Sequence, residues 1–99
     1  MANLEIKTNP EETKLTLSLS GRLDTNTSPL LEEELKLDDV TELVMDFENL
    51  EYVSSAGLRV ILNAQKVMNR QGSMKLVGVC EEIMEVFEMT GFDSILTIE

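Results

Sequence analysis

Leu4 and Ile6 alternate with Glu5 and Lys7, and beyond Pro10-Glu11-Glu12-Thr13 the same period of two resumes as Leu15, Leu17 and Leu19 against Thr16, Ser18 and Ser20. Successive strand side chains point to opposite faces, so this spacing predicts a β-hairpin with one apolar and one wet face. The wet face is open to solvent or to a partner, and the solvated reading is preferred. Gly21 is expected to break the second strand. Asp24-Thr25-Asn26-Thr27-Ser28-Pro29 then reads as a loop ending in a helix start, with Ser28 as N-cap and Pro29 at the first helical position. In that helix Leu30, Leu31 and Leu35 face inward, while Glu32-Glu33-Glu34 form the solvated side.

The run Glu42-Leu43-Val44-Met45-Asp46-Phe47 is the most strand-like in the chain, and Leu43 to Phe47 is apolar on both parities apart from Asp46. It predicts a central strand covered by helices on at least one face. From about Ala56 to Gln71 the period lengthens to that of a helix, with Leu58, Ile61, Leu62 and Met68 on one stripe, broadened by Val60, Ala64 and Val67. Gly72 ends it. Met74 to Val79 reads as another buried strand, and Glu81 to Thr90 as the last helix, with Ile83, Val86 and Phe87 inward. Gly91 is placed as its left-handed stop, Phe92 should pack back on Phe87, and Ile95 to Ile98 finishes as a short strand. The predicted order is β-β-α-β-α-β-α-β. Alternation after the hairpin implies parallel strands joined by right-handed crossovers, hence an α/β fold with an antiparallel N-terminal edge.

These elements converge on Leu50-Glu51-Tyr52-Val53-Ser54-Ser55-Ala56-Gly57-Leu58, where the strand period gives way to the helical one. One of the two serines should cap the helix, and the expected cap is Ser55. Ala56 and Gly57 would then form a small first turn open to another surface, with Leu58 starting the buried face. Uncapped amides and the positive end of the helix dipole favour an anion there, including a phosphate carried by the serine itself. The plainer alternative is a serine that only caps. Asp24, at a strand end, sits on the rim where loops gather. Asp46 is expected near that rim, either accepting backbone hydrogen bonds in the following turn, which is preferred, or assisting phosphotransfer. Arg59 lies within a turn of Ser55, suited to screening a phosphate or meeting an acidic patch.

The same stretch resembles the signature of the STAS family, the sulfate transporter and anti-sigma factor antagonist domains. In bacterial anti-sigma factor antagonists the segment reads aromatic, apolar, Asp, Ser, Ser or Thr, Gly, Leu, and the first serine after the Asp is phosphorylated. Tyr52 takes the aromatic place, Val53 the apolar one, Ser54 that of the Asp, Ser55 that of the phosphoacceptor, and Gly57 and Leu58 close the motif. Ser54 thus stands where the family has Asp, which leaves it as a second candidate acceptor, and Ala56 replaces a hydroxyl residue. Upstream, Gly21-Arg22-Leu23-Asp24 resembles the family's Gly-x-Leu/Ile-Asp at the end of its second strand. With both motifs in order, the resemblance covers nearly all of residues 1–99 and implies a single STAS domain.

Composition narrows the chemistry. The 99 residues, 42% hydrophobic and 27% charged, suit one globular domain able to hold its own core. With 19 acidic against 8 basic residues the formal charge is -11, which disfavours nucleic acid and anionic membrane. The acidity fits a partner with a basic face and fits solubility equally. There is no histidine, so every Ser-His-Asp and Cys-His arrangement is excluded, and the single cysteine, Cys80, offers neither an internal disulfide nor a zinc cluster. No apolar run reaches membrane-spanning length and no signal peptide opens the chain, so a cytoplasmic location is expected.

Two functions fit. The resemblance implies an anti-sigma factor antagonist: a binding module, not an enzyme, that sequesters a kinase-type anti-sigma factor when unmodified and is phosphorylated by it on Ser55, so regulating sigma-factor-dependent transcription. ATP and magnesium then belong to the partner, a phosphatase would be a further one, and the contact surface is expected at Asp24, Thr25, Asn26, Ser54, Ala56, Gly57 and Arg59. The alternative is a constitutive STAS scaffold of a signalling or transport complex in which Ser55 only caps a helix.

Overall fold

The computed structural model describes residues 3–99. A four-stranded sheet in the order β1-β2-β3-β4 comprises β1 (Leu4–Glu11), β2 (Lys14–Leu23), β3 (Glu42–Val53) and β4 (Ser73–Val77). β1 pairs antiparallel with β2, and β2, β3 and β4 are parallel. Helices α1 (Ser28–Glu34), α2 (Ser55–Gln71) and α3 (Glu81–Thr90) complete an α/β architecture.

The buried residues explain the layering. Leu17, Leu19, Leu43, Met45, Phe47 and Leu76 are fully buried from the sheet, and they meet Leu31 of α1, Ile61 and Met68 of α2, and Ile83 and Phe87 of α3 in one cluster. On the other parity Thr16, Ser18, Ser20 and Asp46 remain partly accessible. That face holds a shallow polar hollow between Glu5, Lys7, Ser18, Ser20, Asp46 and Asn49. Val44, buried yet outside the core cluster, belongs to this parity.

Several elements depart from the sequence reading. β3 runs on to Val53, past Phe47, because two bulges are built into it. Ser18 pairs with Asp46 but Ser20 with Asn49, and Gly21 pairs with Leu50 but Arg22 with Tyr52, so Leu19 faces two residues of β3 and a second extra residue follows. Each bulge resets the parity and keeps Phe47, Leu50 and Val53 inside at a spacing of three, which a period-of-two reading rejects. Asp46 lies mid-strand, roughly 20 Å before the end of β3 at about 3.3 Å per residue, and its Oδ1 accepts the Glu48 amide of the first bulge at 2.9 Å. The backbone-acceptor reading of Asp46 is the correct one, in a bulge and not at the rim.

Gly21 does not break β2 but sits within it at φ +102°, where a Cβ would strike the Asn3 carbonyl oxygen. The position before α1 is held by Thr27 and not by Ser28, which is the first helical residue; the Thr27 side chain makes no capping bond to the helix, and Leu30 is exposed while Leu31 is buried. In α2, Leu62 is half-buried and Val67 exposed, and Gln65 is buried in their place. β4 ends at Val77, two residues short of the expected Val79. Gly91 caps α3 in the left-handed region at φ 78°, as expected. Beyond it Phe92–Ser94 form a 3₁₀ turn, and the expected last strand is reduced to one bridge, in which Leu76 donates to the Thr97 carbonyl and accepts from the Glu99 amide.

Candidate functional site

The C-terminal ends of β2 and β3 lie side by side, Arg22 opposite Tyr52 and Leu23 opposite Val53. One residue further, the Ser54 amide donates to the Leu23 carbonyl at 2.8 Å, which ties the start of α2 to the start of the Asp24 loop. Ser54 is the cap. Its backbone is extended (φ -91°, ψ 174°), its hydroxyl accepts the Gly57 amide at 3.2 Å, and its carbonyl accepts the first helical bond, from Leu58. The expected cap at Ser55 is therefore displaced by one residue: β3 holds its extended backbone through Ser54, and Ser55 already has helical geometry. Relieved of capping, Ser55 is exposed at the first helical position. The Ser55 and Ala56 amides there have no intrahelical partner to reach, which gives the terminus its attraction for an anion.

Gly57 is buried because α2 sits down on β2 at this point. A Cβ on Gly57 would come within 2.7 Å of Leu23 Cγ and 3.0 Å of the Leu23 carbonyl oxygen. Ala56 is half-buried, and Arg59, four residues beyond Ser55 and so on its face of the helix, is exposed.

The Asp24 loop is wound around Thr27. Asp24 Oδ1 accepts the amides of Asn26 and Thr27, each at 3.0 Å. Thr27 Oγ1 in turn accepts the Asp24 amide at 2.8 Å and donates to the Arg22 carbonyl at 2.8 Å. The Thr27 amide, more than any other group, holds the Asp24 carboxyl below its ordinary value; partial burial opposes this, and the Thr27 hydroxyl, the Asn26 amide and the Arg22 charge add to it. Thr25 and Asn26 are exposed at the tip. Asp24, Thr25 and Asn26 thus share a rim with Ser54, Ser55, Ala56 and Gly57, as expected from the strand ends.

Sequence reasoning missed two features. Thr27 looked like loop filler, although a buried threonine three residues after an Asx residue is the partner such a turn needs. Arg22 lies over the Tyr52 ring at 4.2 Å from its centroid, with Nε 4.0 Å from Asp24 Oδ2, a cation–π stack at the edge of the site. Both had been read only as motif positions, and their pairing depends on the second bulge.

The profile described as STAS domain matches residues 3–99. The chain belongs to the STAS domain family. Among proteins of similar sequence is the anti-sigma-B factor antagonist of Staphylococcus aureus (strain NCTC 8325 / PS 47), 29% identical over 100 residues that span 97% of this chain and 93% of that protein. The anti-sigma-B factor antagonist of Bacillus subtilis (strain 168) is 28% identical over 99 residues, 97% of this chain and 89% of that one. Among solved structures, an anti-sigma factor antagonist from Mycobacterium paratuberculosis superposes with a TM-score of 0.86 at 20% identity, covering 96% of this chain and 84% of that one. The Bacillus cell fate determinant SpoIIAA in its phosphorylated form gives 0.76 at 17% identity, covering 96% and 91%. These likenesses establish the STAS fold. Among the described residues no group of three or more His, Cys, Asp or Glu is placed to hold a metal, and no helix is long and apolar enough to cross a membrane.

Proposed function

We propose that this domain is an anti-sigma factor antagonist switched by phosphorylation of Ser55. Unmodified, it binds an anti-sigma factor of the serine-kinase type and thereby frees a sigma factor; that kinase, with its own ATP and magnesium, phosphorylates Ser55 and is released. The domain is then a substrate and not an enzyme, and a phosphatase would reverse the switch.

The observation that carries this reading is the division of labour between the serines. Ser54 spends its hydroxyl on the cap, whereas Ser55 is exposed at the positive end of α2 between small neighbours. A phosphate adds about -1.5 to -2 charges there, next to the unpaired Ser55 and Ala56 amides. The domain itself has little reason to rearrange, so the phosphate acts on whatever surface faces it. A hundredfold loss of affinity would need only about 2.8 kcal/mol. The curated relatives named as anti-sigma-B factor antagonists support the partner class.

The test is incubation with candidate anti-sigma kinases and ATP, mass mapping of the product, and comparison of kinase binding by native and phosphoserine forms. Phosphate on Ser55 with binding weakened a hundredfold is expected. Phosphate on Ser54 alone moves the switch to the cap, and equal binding by both forms defeats it in favour of a constitutive scaffold.

A further inference from the structure

Among the described residues β1 is an edge strand: it pairs with β2 on one side and with no strand on the other. Which of its backbone groups face outward follows from the register. The Asn3 carbonyl accepts the Arg22 amide at 2.8 Å, so in the alternation of an antiparallel ladder the pairs Glu5–Ser20, Lys7–Ser18 and Asn9–Thr16 bond inward. The N–H and C=O groups of Leu4, Ile6 and Thr8 then point away from the sheet. Pro10, next in that series, has no N–H and marks where a ladder on this side would stop.

The side chains on this edge are complementary to themselves. An antiparallel partner centred on Ile6 sets Leu4 opposite the second copy's Thr8, Ile6 opposite its Ile6, and Glu5 opposite its Lys7, with Lys7 opposite its Glu5. All three outward residues pair in hydrogen-bonded positions, and both ion pairs fall at the closer, non-bonded positions. An edge Lys ordinarily discourages pairing, but in this register its charge is met. On the helical face Glu34 brings an acidic group to this edge, its Oε2 accepting the Thr8 hydroxyl at 3.0 Å. Four residues of strand, roughly 14 Å, separate the two Thr8 positions, beyond a Debye length of about 8 Å.

We infer that the outer edge of β1 is a self-association surface on which a second copy of this chain adds its own β1, antiparallel about Ile6, to make one continuous sheet across a two-fold axis. This reading is independent of whether Ser55 is modified, because the edge lies on β1 and the serines at the start of α2.

Glu5 and Lys7 are exposed, so their charges can be exchanged without disturbing the core. Sedimentation equilibrium of the full chain, up to about 1 mM, should show a monomer–dimer equilibrium. Lys7→Glu sets like charges opposite one another twice and should weaken it roughly tenfold, as should Glu5→Lys. Glu5→Lys/Lys7→Glu restores both pairs in reverse and should return the dissociation constant to within about threefold of the original. A native chain that stays monomeric throughout overturns the inference. So does a dimer indifferent to the single changes, or a double variant no better than either single one. Circular dichroism melts of all four proteins separate loss of pairing from loss of fold.

Discussion

The Leu23 carbonyl oxygen accepts the Ser54 amide at 2.8 Å, and the same residue's side chain fills the space a Cβ on Gly57 would need. One leucine at the end of β2 therefore sets both the height and the closeness of the α2 N-terminus. Gly57→Ala is the decisive probe, since alanine in a helix is ordinarily better than glycine by about 1 kcal/mol. With Leu23 Cγ only 2.7 Å away, overpacking should reverse that sign and cost roughly 1 to 3 kcal/mol in urea denaturation. A stabilised Gly57→Ala protein would mean that α2 does not rest on Leu23.

The two serines should separate cleanly in stability. Ser54→Ala removes the acceptor of the Gly57 amide and should cost about 1 kcal/mol, whereas Ser55→Ala, at an exposed first helical position, should change stability by less than about 0.5 kcal/mol. Equal losses in denaturant melts would return the cap to Ser55.

Core truncations should outweigh both. Phe87 is fully buried in the contact between α3 and the sheet, and Phe87→Ala is expected to cost about 3 to 5 kcal/mol; Leu58→Ala should cost about 2 to 5. Met89, 86% exposed on the same helix, provides the control, and Met89→Ala should be nearly silent.

Asp24 sets a direction with pH. Its carboxyl is held below the ordinary value of 3.8 first by the Thr27 amide, so the folded state favours the ionised form. Its contribution is fully present above that ordinary value and is lost as pH falls through the lower folded value. The stability gap between native protein and Asp24→Asn, measured by denaturant at neutral pH and again near pH 3, should narrow at the acid end. A gap that widens there would contradict the Thr27-centred loop.

What was legible in the sequence followed from periodicity. The spacing of Leu15, Leu17 and Leu19 located β2 and the apolar stripe from Leu58 to Met68 located α2, while Gly91 closed α3 where its conformational freedom predicts. The rim shared by Asp24 and Ser55 was legible too, because parallel strands end on one side. The cap was not, since two adjacent serines are equivalent until the length of β3 is known. That length was hidden by the bulges: Phe47, Leu50 and Val53 recur at three, a spacing that suits neither element. Gln65 escaped for another reason. It occupies a buried helical position, with Nε2 donating to Asn69 Oδ1 at 2.8 Å and Oε1 without a partner among the described residues, and a polar residue there reads as a surface one.

The bulges also make the effect of losing one residue depend on where it is lost. Glu51 is the unpaired residue of the second bulge, so its removal would leave Leu50, Tyr52 and Val53 alternating in, out and in against Gly21, Arg22 and Leu23. Ser54 would still follow Val53 to the Leu23 carbonyl. A single-codon deletion at this exposed glutamate should therefore do less harm than deletion of Val44 in the same strand, where no extra residue stands ready to absorb the slip and the inner and outer faces on one side of it would be exchanged.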